Sequence, residues 1–182
     1  MALTYTPAGA LGSLCPDFQL SSVDGKLYTR ASFAHAPALF VMFICNHCPY
    51  VRAIEPRLLA LVREFPQVAS VGICANDPAD HPEDQPPQLL ARWRSQAYGF
   101  PYLLDTEQSV AREFAAVCTP DLYLYDGQQK LRYRGRLDDS WRDPARVTKQ
   151  ELRLALLQIL SGQLPDTEQN PAMGCSIKWK IP

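Results

Sequence analysis

A chain of 182 residues that is 47% hydrophobic carries enough apolar mass for one globular domain with a full-sized core, so a single domain over 1–182 is expected. A net charge of −1 and a pI near 6.3 give no reason to expect nucleic-acid binding, which usually shows a clustered basic excess. The first residues have neither a basic n-region nor an apolar h-region and no apolar run approaches membrane-spanning length, so the expectation is a cytoplasmic protein with no membrane partner, its six cysteines resting reduced.

In chain order, residues 16–20 and 26–28 read as two short strands around an Asp24-Gly25 hairpin signal. Cys15, which lacks an activating neighbour, reads as a small packed residue. Residues 30–35 form a short connector. The run Ala38 to Ile44 is uninterruptedly apolar and rich in aromatic and β-branched types, as in a strand buried on both faces. Val51, Ile54, Leu58, Leu59, Leu61 and Val62 then repeat at helical spacing, with Pro56 expected to kink or divide the helix. A second buried strand follows at 68–75, with Cys74 as core.

Residues 76–87 combine four prolines with Asp77, Asp80, His81, Glu83 and Asp84, and their spacing matches no calcium loop or His-Glu pattern. They read as a solvated loop. A helix to about residue 97, a short strand at 101–104 and a helix over 106–116 come next. A strand opening after Pro120, an Asp126-Gly127 turn and an alternating strand at 130–135 make a hairpin, with Arg132, Arg134 and Arg136 on one exposed face. The spacing predicts a helix over 148–160, capped by Thr148 with Glu151 three residues on and stopped by Gly162. The tail, 163–182, has no period. The domain core therefore spans about 14–162.

The chemistry concentrates at Cys45-Asn46-His47-Cys48-Pro49, where the first buried strand gives way to a helix. Two cysteines three apart can form a disulfide or share a ligand. Cys45, read as the helix-start residue, would gain from unpaired backbone N–H groups and the helix dipole, which favour a thiolate. Cys48 would be the buried partner that resolves a mixed disulfide, and a partly cationic His47 would favour the Cys45 thiolate. Half a zinc site and two inert core cysteines are the alternatives. No second pair with ligand spacing supports zinc, so no metal is expected.

The order of elements, with Pro16-Asp17-Phe18, Asp24-Gly25-Lys26, Cys45 to Pro49, Asn76-Asp77, Cys118-Thr119-Pro120-Asp121, Leu137-Asp138-Asp139 and Gly174 to Trp179, resembles the thioredoxin-like redoxins of the AhpC/TSA group, specifically a peroxiredoxin-like thioredoxin subgroup. The resemblance implies an α/β thioredoxin fold: a central mixed sheet flanked by helices, an N-terminal β-hairpin and a redoxin-type insertion at 76–100. It implies Pro120 as a cis-proline facing the cysteine pair, and a Thr119 backbone that pairs with an extended substrate. Asn46, His47 and Pro49 would modulate the site. The implied activity is thiol–disulfide exchange with protein or small-molecule thiols and disulfides and an unidentified reductant, needing no cofactor beyond the redox-active disulfide.

The alternatives are a thiol peroxidase acting through Cys45, or a redox-sensing binding module without turnover. Peroxiredoxins carry P-x-x-x-T-x-x-C; counting back from Cys45 meets Met42 and Ala38, and from Cys48 meets Cys45 and Val41, so neither frame has the threonine. Cys118, two residues before Pro120, and Cys175, in the tail, are possible accessory thiols.

Overall fold

The computed structural model describes residues 3–180. In chain order the strands are β1 (Leu3–Tyr5), β2 (Gln19–Ser21), β3 (Leu27–Thr29), β4 (Ala38–Phe43), β5 (Ala69–Cys74), β6 (Tyr102–Leu104), β7 (Cys118–Thr119), β8 (Asp121–Asp126), β9 (Leu131–Gly135) and β10 (Met173–Ser176). The α-helices are α1 (Pro49–Glu64), α2 (Pro86–Ser95), α3 (Ser109–Glu113) and α4 (Glu151–Leu160).

β4 lies at the centre of a five-stranded sheet of order β6-β5-β4-β8-β9, parallel to β5 and antiparallel to β8. All six of its residues are buried, because its two faces pack different layers. Phe40 and Met42 join the cluster built with Val51, Ile54 and Leu58 of α1 and Leu152 and Leu156 of α4. Leu39, Val41 and Phe43 point into a second cluster with Phe18, Phe33, Val110 and Phe114. The mixed sheet flanked by helices is thus as expected, and so is the N-terminal hairpin, with β2 and β3 joined around Gly25 at φ +85°.

Several local expectations are corrected. α1 runs through Pro56 as one helix and is not divided there. Two anchors fix its outer side: Arg57 Nε donates to Asp138 Oδ2 at 2.7 Å and its Nη2 to the Ser140 carbonyl at 2.9 Å, while buried Glu55 accepts from Tyr98 and Arg92. The helix expected over 106–116 contracts to α3: Gln108 precedes it at φ +60°, and the Gln108 amide bridges the carbonyls of Ala75 and Lys178. Thr148 does not cap α4; its N–H donates to Asp139 at 2.9 Å, while Glu151 is held by Arg136 at 2.6 Å. Arg134 is not on an exposed face. It is buried and pairs with buried Asp121 at 2.8 Å, since an unpaired charge there would be costly.

The tail, expected without regular structure, contains β10. It lies between β1 and β7 in a separate three-stranded sheet, with Cys175 opposite Thr119 and Ser176 opposite Cys118. No helix among the described residues is long and apolar enough to cross a membrane.

Candidate active site

The turn after β4 is held from several sides. The Ile44 N–H donates to the Ile73 carbonyl at 3.1 Å, and the buried Tyr102 hydroxyl donates to the Ile44 carbonyl at 3.1 Å. α1 starts at Pro49, whose missing N–H costs nothing at a first helical position, and Cys48 is the N-cap residue. Cys45 therefore does not stand at the helix start. The three residues 45–47 form a short loop before it, and both cysteines are buried.

This placement reverses the expected electrostatics of the pair. The Cys45 thiol is pushed well above its ordinary value, first by burial, then because it donates to Cys48, then by the Asp84 charge. Cys48 is lowered to about 5, chiefly by that donation from Cys45, against the cost of burial. The Val51 N–H, the Cys175 thiol and the Cys175 N–H lower it further. As a thiol, Cys48 donates to the Thr119 carbonyl at 3.0 Å, a contact that by itself favours the protonated form.

Asp84 organises the loop. Its carboxylate accepts the backbone N–H of Asn46 at 2.8 Å, that of His47 at 3.2 Å and the Asn76 side-chain amide at 2.9 Å. Its Oδ2 lies 2.6 Å from His47 Nδ1. Burial alone would raise the Asp84 carboxyl, but the bonds from His47 and Asn76 reverse the sign and hold it below its ordinary value. An ionised carboxylate only accepts, so Nδ1 carries the proton and directs it at Asp84. The same ring nitrogen lies 3.6 Å from Cys45 Sγ, so His47 stands between the Asp84 carboxylate and the Cys45 thiol. Its ring stacks on His81 at 3.9 Å. The segment read as a solvated loop is therefore partly buried: Asn46 Nδ2 also donates to the carbonyls of Glu83 and Gln88 at 2.9 and 3.1 Å.

Thr119 touches both cysteines, its Oγ1 lying 3.2 Å from Cys45 Sγ and its carbonyl bonding Cys48. The Thr119-Pro120 peptide bond is cis. The Thr119 edge is not open to an extended substrate, however, because β10 pairs with it. Cys118 is buried, its Sγ 3.8 Å from the Pro120 carbonyl, and burial pushes its thiol up. Cys15 and Cys74 are buried too, each pushed up to about 12 by desolvation. Cys175 joins the pair directly, donating to Cys48 through both its thiol and its N–H.

Among the described residues, Cys45, His47 and Asp84 bring three donor atoms within 4.8 Å of one another and are the set that could hold a metal ion. The carboxylate and Nδ1 already satisfy each other, and a structural zinc site uses four ligands. Asp84 was the residue missed in sequence: nothing in its Pro-rich surroundings marks it as buried, and only the short 3-10 turn Pro82–Asp84 aims it at the loop.

A cysteine pair at the end of a central sheet strand, the second at the N-cap position of the following helix, and a facing Thr-cis-Pro segment define a thioredoxin-fold redoxin. The AhpC/TSA family profile matches residues 11–134, and the chain belongs to that family. Two solved structures resemble it over nearly their whole length: an uncharacterized conserved protein from Geobacillus kaustophilus, at 39% identity and TM-score 0.93, covering 99% of this chain and 97% of that one, and a hypothetical protein from Sinorhizobium meliloti 1021, at 38% identity and TM-score 0.92, covering 98% and 100%. The thioredoxin domain of a thiol-disulfide oxidoreductase from Bacteroides vulgatus shares the fold at 17% identity and TM-score 0.58, covering 70% and 89%. No curated protein matches this chain.

Proposed function

We propose that the protein is a thiol–disulfide oxidoreductase whose Cys45 and Cys48 form the redox centre, with Cys48 as the attacking thiolate. The observation that carries this reading is geometric: Cys45 and Cys48 both touch Thr119 beside the cis Pro120, Cys45 Sγ lying 3.2 Å from its Oγ1 and Cys48 Sγ 3.0 Å from its carbonyl oxygen. The electrostatics favour ionisation of Cys48, at the N-cap position of α1, over Cys45, so on this reading Cys48 attacks and Cys45 holds the proton. The Cys48 thiolate attacks one sulfur of a substrate disulfide, forming a mixed disulfide and releasing the first substrate thiolate, which takes up a proton. Cys45 gives up its proton and attacks Cys48 Sγ, releasing the second substrate thiol and leaving the Cys45–Cys48 disulfide. Substrate gains two electrons and the protein loses them. The reverse sequence oxidises a dithiol, and the reduction potential sets the direction.

The partners on this reading are protein or small-molecule thiols and disulfides. The Cys48 thiolate lowers the energy of the reduced state and so makes the couple more oxidising. The test is the rate of reaction of the reduced protein with a small aromatic disulfide at pH 7. Cys48→Ser is expected to slow the fast phase by about 30–100-fold, since a thiol of ordinary pKa is only about 1–3% ionised there. Retention of the fast phase by Cys48→Ser, or absence of any Cys45–Cys48 disulfide after equilibration with oxidised glutathione, overturns the reading.

A further inference from the structure

The tail occupies the edge beside the cysteine pair. In this fold an extended partner alongside Thr119 would add to β7 by main-chain pairing; here β10 takes that position, with Cys175 in register with Thr119. The approach is close. A Cβ at Gly174 would lie 2.0 Å from the Thr119 carbonyl oxygen, so only glycine lets the two backbones meet this way. On its other edge β10 is secured by β1, with Thr4 opposite Gly174 and Leu3 opposite Cys175. The Lys178 N–H donates to Asn76 Oδ1 at 2.9 Å, and the Asp77 N–H to the Lys178 carbonyl at 2.8 Å. The tail is thus tied at three points, and these ties seat the buried Cys175 opposite Thr119, whose carbonyl takes the Cys48 thiol at 3.0 Å.

Resting on the assignment of Cys48 as the attacking thiol, we infer that Cys175 is a second resolving cysteine, delivered by β10 from the position of a bound substrate strand, so that Cys48 can close a disulfide with either Cys45 or Cys175. In the resolving step the Cys175 thiolate attacks Cys48 Sγ of the mixed disulfide. The Cys48–Cys175 bond forms, the Cys48–substrate bond breaks, and the departing substrate sulfur takes the proton that Cys175 gives up. The protein is oxidised by two electrons, as when Cys45 resolves.

The mixed disulfide also prepares Cys175 for this step. In the resting state Cys175 is held up near 12, first by burial and then by the Cys48 thiolate to which it donates. Once Cys48 is bonded to substrate its charge is gone, and that second contribution disappears. Of the other buried cysteines, Cys118 directs its thiol at the Pro120 carbonyl, and Cys15 and Tyr125 face each other in the opposite core layer.

The probe is 5,5′-dithiobis(2-nitrobenzoate), and the readout is the number of thionitrobenzoate equivalents released in the fast phase, with peptide mapping of the product. Cys45→Ser keeps a hydroxyl donor beside Cys48. It is expected to release two equivalents, with the tryptic peptides 31–52 and 154–178 joined through Cys48 and Cys175. Cys45→Ser/Cys175→Ser is expected to release one and retain the nitrobenzoate adduct on Cys48; Cys45→Ser/Cys175→Ala is run in parallel, with circular dichroism to verify folding. A single equivalent from Cys45→Ser, or a second equivalent that persists in both double variants, overturns the inference. Failure of the underlying reading shows separately, as a fast phase that survives in Cys48→Ser.

Discussion

His47 Nδ1 lies 2.6 Å from Asp84 Oδ2, and the same carboxylate accepts the backbone N–H groups of Asn46 and His47. A buried acid 36 residues beyond Cys48 therefore fixes the loop between the two cysteines and orients its only imidazole. Asp84→Asn replaces an acceptor-only group with an amide and removes the charge that raises Cys45. Because the folded carboxyl is held below its ordinary value of 3.8, its contribution is fully present above pH 3.8 and is lost as pH falls through the lower folded value. Asp84→Asn should lower stability by about 1–3 kcal/mol at pH 7, with the difference from wild type shrinking below pH 3.8; urea denaturation at pH 7 and pH 3 checks both.

The thiolate of the reduced protein should titrate near pH 5, by absorbance at 240 nm or by iodoacetamide rate, and vanish in Cys48→Ser. The donation from Cys45 is the largest cause of that low value, so Cys45→Ala should move the midpoint upward, and Cys45→Ser should move it less. Linkage gives the sign for stability. A thiol lowered from 9.0 to about 5 contributes stability that is complete above pH 9 and lost as pH falls towards 5. The reduced protein should gain stability between pH 5 and 9 relative to Cys48→Ser, and equal stabilities at both ends of that window would refute the assignment.

Gly174→Ala introduces a methyl into the Thr119 carbonyl, where backbone rather than a flexible side chain must yield. The expected cost is about 1–3 kcal/mol, seen in the denaturation midpoint. Hydrogen exchange should show lost protection at Cys175 and Ile177, whose N–H groups lie along this pairing.

Arg134→Ala leaves Asp121, fully buried on β8 and pushed up by desolvation, without its guanidinium partner. Breaking one side of a buried pair costs about 3–5 kcal/mol. A cost below 1 kcal/mol in denaturant unfolding would mean that Asp121 is already neutral in the native protein.

The central strand, the hairpins at Gly25 and Gly127, the buried stripe of α1 and the cysteine pair were all legible in the sequence, because apolar periodicity, turn residues and the C-x-x-C spacing are local signals. What separated Cys45 from Cys48 was not local. A spacing of three fits a helix starting at either cysteine, and only the folded chain puts the N-cap at Cys48, Asp84 beside Cys45, and Cys175 beside Cys48. The same reason explains the misread loop and tail: a Pro-rich acidic segment and a short glycine-marked strand have no period of their own, and become ordered through partners 37 and 56 residues away, at His47 and Thr119. Local signals sufficed for the central strand, its neighbouring hairpin and the spacing of the two thiols. The surroundings that bias the two thiols differently, burial and donors from distant elements, exist only in the folded chain.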